Sequence, residues 1–505
     1  MAAEKDRGAS NVSGVVGADP TLGARAAGGA LVAMGGQLVK IVVQFGGVVL
    51  LARLLTPRDY GLVTMVLAIV GVGEVLRDFG LSSAAIQAKH LSRAQRDNLF
   101  WINTAIGFVL AVVVFLFAGR IAAFYGEPLL RGVAQAIALT FLLNGLTTQF
   151  RAHLTRELRF KRLTVAEVGG QLAGLVVAVA LALAGYGYWA LVVQQIVQAA
   201  MILAVMAAAA GWLPGLPRRD AEMRSFLRFG GNVMASQLLA WFSSNVGQIL
   251  IGNRLGAAPL GLYNRAFALV AMPLTQLNAP ATSVALPVLS RLQGDPARYA
   301  AFLLRGQAAL MHFLIAVFAF ACAQAGPLIV LALGARWTEA VPMFQALAMG
   351  AVFQSAGYAA YWVFMSKGLT ASQLRYAVVS RTMVIACIAF GAQWGALGVA
   401  AGYAVGNALS WPLALWWLGR ISDAPVRGMA GNGMRAIVGY ALCGIASYSV
   451  SAQWAASLPA KLALGAVAGA AAFAAVCALW PAFRRDVAGI LQTRTLLRTA
   501  RAGAS

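Results

Sequence analysis

Acidic residues are scarce in this chain: 16 Asp and Glu stand against 39 Lys and Arg, and charged residues of either sign make up only 11 % of the 505. With so little charge, no polar stretch is long enough to fold as a soluble domain, and the longest are residues 1–29 and 481–505. Histidine is nearly absent, and His90, His153 and His312 lie in separate regions. The cysteines Cys322, Cys387, Cys443 and Cys477 stand singly without CxxC spacing, so neither a zinc site nor a disulfide framework is indicated, and they read as packing residues. No GxxxxGK[ST] loop occurs, which excludes a nucleotide-driven motor of that kind. Any uphill transport must then draw on an ion gradient, H⁺ or Na⁺, or on a partner, and no cofactor or metal is expected. Residues 1–29 are polar and rich in Gly, Ala and Ser. They lack the apolar core of a cleaved signal peptide and read as a disordered lead-in.

What the chain has in abundance is apolar sequence, 60 % of its residues. A spanning helix needs about 20 apolar residues to cover roughly 30 Å of hydrocarbon. About 14 stretches meet that need: 30–52, 61–87, 98–118, 132–150, 165–184, 187–211, 229–252, 262–289, 306–323, 340–364, 376–391, 395–418, 436–452 and 460–480. The fold expected is all-α, a polytopic membrane protein. Lys and Arg crowd into alternate gaps, on the side that carries both termini. By the positive-inside rule that side is cytoplasmic. The net charge of +23 is therefore a topology signal and a contact with anionic membrane lipids, not a nucleic-acid footprint.

Aligning residues 47–70 with 247–270 pairs Gly47 with Gly247, Leu50 with Leu250, Leu55 with Leu255, Gly61 with Gly261, Leu62 with Leu262, Ala68 with Ala268 and Val70 with Val270. Both windows contain an outward helix, a turn and a returning helix, and an even number of spans separates them. The halves then form a parallel repeat, an arrangement that in transporters places the substrate between two bundles near the membrane midplane. The expected organisation is a tail (1–29), a six-helix lobe (30–211), a cytoplasmic linker (212–228), a second six-helix lobe (229–418), two further helices (436–480) and a basic cytoplasmic tail (481–505).

Charge at mid-depth is expensive, which makes Lys40, Glu74, Arg77 and Asp78 of the first hairpin the residues most informative about mechanism. Lys40 and Glu74 are equidistant in sequence from Pro57 and so reach similar depth in an antiparallel pair, where they could form an ion pair. Glu74 also has Arg77 and Asp78 at helical spacing. One reading is a neutralised network that fixes packing. The other is a wet central cavity in which Lys40 and Arg77 bind an anionic group such as pyrophosphate and Glu74 or Asp78 carries the coupling ion. Arg53, Arg254 and Arg265, near the outer ends of the matching hairpins, are further candidates for substrate contact, with snorkelling or capping as the alternative. Pro273, Pro280 and Pro287 recur at heptad spacing in one span and mark a candidate bendable, cavity-lining helix.

The segments ARLLTPRDYGLV (52–63), FGLSSAAIQAKHLS (79–92), LTRELRFKRL (154–163), ILIGNRLGAAPLGLYNRAFALVAMPL (249–274) and LPVLSRLQGDPARY (286–299) resemble the polysaccharide-transporter branch of the multidrug/oligosaccharidyl-lipid/polysaccharide exporter superfamily, the Wzx-type flippases. The resemblance implies a V-shaped pair of six-helix bundles in the bacterial inner membrane. It also implies movement of undecaprenyl-pyrophosphate-linked oligosaccharide between leaflets by alternating access, for exopolysaccharide, capsule or O-antigen assembly. The partners expected are that glycolipid, membrane lipids and the polysaccharide polymerase and export machinery, with the carrier itself a monomer. Relatives often carry an acidic residue before the ILIG segment, where this chain has Asn245, Gly247 and Gln248. A multidrug/cation antiporter of the same superfamily would need an acidic cavity. A membrane glycosyltransferase or polymerase would need a sizeable outer loop with catalytic groups, and the longest outer gap offers only Arg336 and Glu339.

Overall fold

The computed structural model describes residues 20–78, 92–217, 238, 241–242, 244–454 and 457–490, with side chains from residue 35 onward and not at Asp78. Residues 1–19, most of the linker, the start of the seventh span, the 79–91 segment and the tail beyond 490 lie outside that set. The described residues form helices α1 (Pro20–Leu54), α2 (Pro57–Asp78), α3 (Arg93–Tyr125), α4 (Leu130–Arg156), α5 (Phe160–Leu183) and α6 (Trp189–Ala210). After the linker come α7 (244–255), α8 (Ala257–Arg291), α9 (Pro296–Ala323), the short α10 (Ala325–Leu333), α11 (Ala340–Ser366), α12 (Thr370–Gly391) and α13 (Gly395–Ile421). Helices α14 (Val426–Trp454), α15 (Leu458–Leu479) and α16 (481–490) close the chain.

Ten stretches of described residues are long and apolar enough to cross a membrane, one of them holding both α12 and α13. The protein is thus a multi-pass helical membrane protein. Helix α1 begins at Pro20, inside the stretch expected to be a tail. Proline suits a first helical turn, and the alanines after it are the strongest helix formers.

The packing order repeats. In the first half α5 lies against α6, α6 against α4, and α4 against both α3 and α2. In the second half α12 lies against α13, α13 against α11, and α11 against both α9 and α8. Helix α14 packs on α9, and α15 packs on α14. Helix α8 stays continuous through Pro273, Pro280 and Pro287; neighbouring helices cover part of its length, as suits a helix lacking three amide donors.

The halves meet along α2 and α8, at the end of the molecule where these two helices begin. A Cβ on Gly61 would stand 1.7 Å from the Ala257 carbonyl oxygen, and one on Gly261 would stand 1.8 Å from that of Pro57. Only glycine permits this approach, and the two glycines are partners in the sequence repeat. Other contacts in the seal are quasi-symmetric as well. Arg53 on α1 donates to the carbonyls of Leu331 and Ala332 at the end of α10, and its repeat partner Asn253 donates to Phe124 O at the end of α3, at 2.7 Å. Trp337 donates its indole N–H to Ala52 O at 2.8 Å, while Tyr125 packs against Gly252, the repeat partner of Ala52. Farther from this end, the halves are joined by a hydrogen bond from Gln37 to Gln276, 3.0 Å long.

Candidate substrate cavity

Below that seal a cavity of about 400 Å³ opens between α1, α2, α5 and α6 on one side and α7 and α8 on the other. At 1.5 Å rise per residue, Arg265 lies about 12 Å and Lys40 about 21 Å from the sealed ends of their helices, so the cavity sits at mid-depth. Its polar lining consists mostly of amides: Gln44, Gln171, Gln194, Gln195, Gln198, Asn245, Gln248 and Asn264. Two cations, Lys40 and Arg265, and the hydroxyls of Tyr60 and Thr64 complete it, and among the described residues its lining contains no carboxylate. Two of its polar atoms, the Tyr60 hydroxyl and Gln171 Oε1, are buried and have no hydrogen-bond partner among the described residues. Such atoms favour a wet interior or a polar guest.

The two cations differ in their pairing. Lys40 Nζ donates to Glu167 on α5 at 2.9 Å, and the same carboxylate takes Arg151 from α4. Lys40 therefore does not pair with Glu74. Helix α1 runs along α5 rather than along its hairpin neighbour α2, so equal depth does not bring the two side chains together. Arg265 lies over the Tyr60 ring, 4.3 Å from its centroid, and donates to Asn264 Oδ1 at 2.7 Å. Tyr60 is held edge-on by Trp337 at 5.5 Å. Among the described residues no carboxylate faces Arg265, so its charge is the uncompensated one in the cavity.

Glu74 and Arg77 form a separate cluster between α2 and α4. Arg77 Nε donates to Glu74 at 2.9 Å, its Nη1 reaches Asn144 O and Thr148 Oγ1, and Asn144 Nδ2 donates to the second Glu74 oxygen at 2.9 Å. Arg77 lines neither cavity in this region. Glu74 lines a smaller one of about 280 Å³ that shares Leu67, Gln195 and Gln198 with the main cavity. The Asp78 side chain lies outside the described residues. Arg53 belongs to the seal, and Arg254 is exposed at the end of α7 nearest it.

Sequence reasoning missed Glu167 and the amides. Glu167 begins an apolar run and looks like a flanking charge, although a carboxylate inside span 165–184 was visible. The glutamines carry no charge, yet Gln194, Gln195 and Gln198 share one helical face, and that spacing was a usable signal.

Residues 50–342, more than half of the chain, match the model of the family described as polysaccharide biosynthesis protein. Among curated relatives, the lipopolysaccharide biosynthesis protein WzxC of Escherichia coli (strain K12) is 27 % identical over 366 residues, covering 70 % of this chain and 72 % of that one. The succinoglycan biosynthesis transport protein ExoT of Rhizobium meliloti (strain 1021) is 24 % identical over 357 residues, with 70 % and 72 % covered. Of solved structures, the lipid II flippase MurJ in an inward closed conformation superposes with a TM-score of 0.71 at 12 % identity, over 87 % of this chain and 98 % of that one. At that identity the likeness speaks for the fold. With repeated helical halves enclosing an amide-lined cationic cavity and the family match running from the end of α1 to the start of α11, this chain belongs to the polysaccharide biosynthesis protein family.

Proposed function

We propose that this protein is a flippase that carries polyprenyl-pyrophosphate-linked oligosaccharide repeat units across the bacterial inner membrane for surface or secreted polysaccharide assembly. The observation that carries the reading is the mid-depth cavity whose Arg265 has no carboxylate partner among the described residues. A diphosphate crossing hydrocarbon must keep polar partners throughout. At an effective dielectric of about 20, a guanidinium 4 Å from one phosphate charge contributes about 4 kcal/mol of attraction. The amides around it can exchange hydrogen bonds with sugar hydroxyls as the headgroup turns over. The protein carries its substrate and does not transform it.

On this reading the termini face the cytoplasm, as the distribution of basic residues supports, and the sealed end faces outward. The resting form would then load from the inside. Lys40 and Arg265 are the primary anion contacts, and Arg77 acts by holding Glu74. Glu74, beside the cavity and bonded to Asn144, is the coupling carboxylate, with Asp78 the next candidate along the same helix. Pro273, Pro280 and Pro287 let α8 bend as the outer seal opens. A cation antiporter would want a carboxylate where this cavity presents Lys40 and Arg265. Deleting the protein should make lipid-linked repeat units accumulate in the inner leaflet. Arg265→Gln should reproduce that accumulation at normal protein abundance, and polymer export unchanged by both would refute the reading.

A further inference from the structure

The second half holds a cavity of its own, about 250 Å³, between α11, α12 and α13. These helices correspond in the repeat to α4, α5 and α6, the last two of which supply glutamines to the main cavity, but here the chemistry differs. Aromatic rings supply much of the wall: Tyr358, Tyr361, Tyr376 and Trp411. Between them stand Gln354, Gln373, Asn407 and Arg381. Several of these groups keep hydrogen-bonding capacity in reserve. Gln354 accepts from Tyr403 through Oε1, leaving its amide N–H₂; Asn407 donates to Tyr403 O, leaving its carbonyl oxygen.

Arg381 lies near the middle of α12, half-buried, and among the described residues no carboxylate balances it. A guanidinium at that depth without a counter-ion marks a binding position more readily than a packing one. Tyr358 ties the cavity to α8, since its hydroxyl reaches Asn278 O at 3.3 Å and Thr282 Oγ1 at 3.0 Å. Helix α8 thus lines the main cavity with Asn264 and Arg265 and, through Asn278 and Thr282, holds Tyr358 in the wall of the second.

We propose that this α11–α13 cavity is a glycan subsite, receiving sugar rings of the oligosaccharide while the cationic cavity across α8 receives the diphosphate. The inference rests on the flippase reading. A pyranose offers an apolar C–H face that an aromatic ring covers, and a rim of hydroxyls that amides and a guanidinium fork satisfy. An acyl chain would leave Arg381, Gln354 and Gln373 unsatisfied, and a diphosphate would have no use for so many rings. The split also gives α8 a means of sensing occupancy, because one helix touches the holders of both substrate parts.

The test uses the full-length protein in nanodiscs and calorimetric titration with two probes. One is inorganic pyrophosphate. The other is the oligosaccharide released by mild acid from the lipid-linked intermediates of cells lacking this protein. Tyr361→Ala and Arg381→Gln should each weaken oligosaccharide binding by about tenfold and leave pyrophosphate binding unchanged, while Lys40→Gln should do the reverse. Tyr361→Phe, which keeps the ring, should retain most of the affinity. Gln373→Ala, a truncation at the cavity wall, provides the reading should Tyr361→Ala not fold. Unchanged oligosaccharide binding in the folded variants, or loss of pyrophosphate binding in Arg381→Gln, overturns the subsite while leaving the flippase reading intact. Absence of accumulated lipid-linked intermediates after deletion overturns the flippase reading itself.

Discussion

Charge at mid-depth is where single residues decide what this protein can do. Lys40 and Arg265 both line the cavity, but Lys40 shares Glu167 with Arg151 whereas Arg265, among the described residues, meets the Tyr60 ring and Asn264. Removing the guanidinium should therefore cost substrate affinity more than stability. Arg265→Gln is expected to weaken pyrophosphate binding by about 2 kcal/mol, roughly thirtyfold, with the thermal midpoint of the detergent-solubilised protein little changed. Glu167→Gln should act the other way: it strands two cations at a half-buried site and should lower the thermal midpoint, by about 1–3 kcal/mol of stability, as scanning fluorimetry would report. The importance of Lys40 was legible in the sequence, because a lysine inside an apolar run stands out. Its partner was not, because the Lys40–Glu167 bond joins α1 to α5 and depends on which helices pack together. Arg381 was hidden differently: near the start of the apolar span 376–391 it reads as a flanking charge, whereas it sits halfway along α12.

The decisive elements are α2 and α8, and the feature that lets them meet is the pair Gly61 and Gly261. Gly61→Ala or Gly261→Ala would push a methyl group into a facing carbonyl, an overpacking cost of about 1–3 kcal/mol. The seal should loosen. With Thr64, a buried cavity residue, replaced by cysteine as reporter, an impermeant thiol reagent applied from the outside should label the glycine variants faster than the parent. Equal rates would mean that the seal does not depend on this contact. The repeat that pairs these glycines was readable as sequence identity, and so were the helices themselves, since apolar length alone marks most of them. What the alignment could not convey is that the paired glycines touch each other, or that Arg53 and Asn253 play matching parts at the seal by donating to the ends of α10 and α3. Helix α8 also shows how weak a breaker proline is here: three prolines leave it unbroken, so bending is a capacity of the element and not its resting shape.

For the whole molecule, the account is of two repeated halves, closed at one end by a quasi-symmetric seal and enclosing a cationic cavity, with α14 and α15 packed outside on the second half. Fold class and family were within reach of the sequence. The division of labour between a cationic cavity and an aromatic one was not, since both are made by side chains brought together from distant helices. The most direct test of the central claim is translocation in proteoliposomes, read as the fraction of purified lipid-linked repeat unit that becomes accessible to an enzyme on the far side. The parent protein should move the substrate, and the Lys40→Gln, Arg265→Gln double variant, folded and inserted to the same extent, should not. Translocation at the parental rate by that double variant would contradict passage through the cavity.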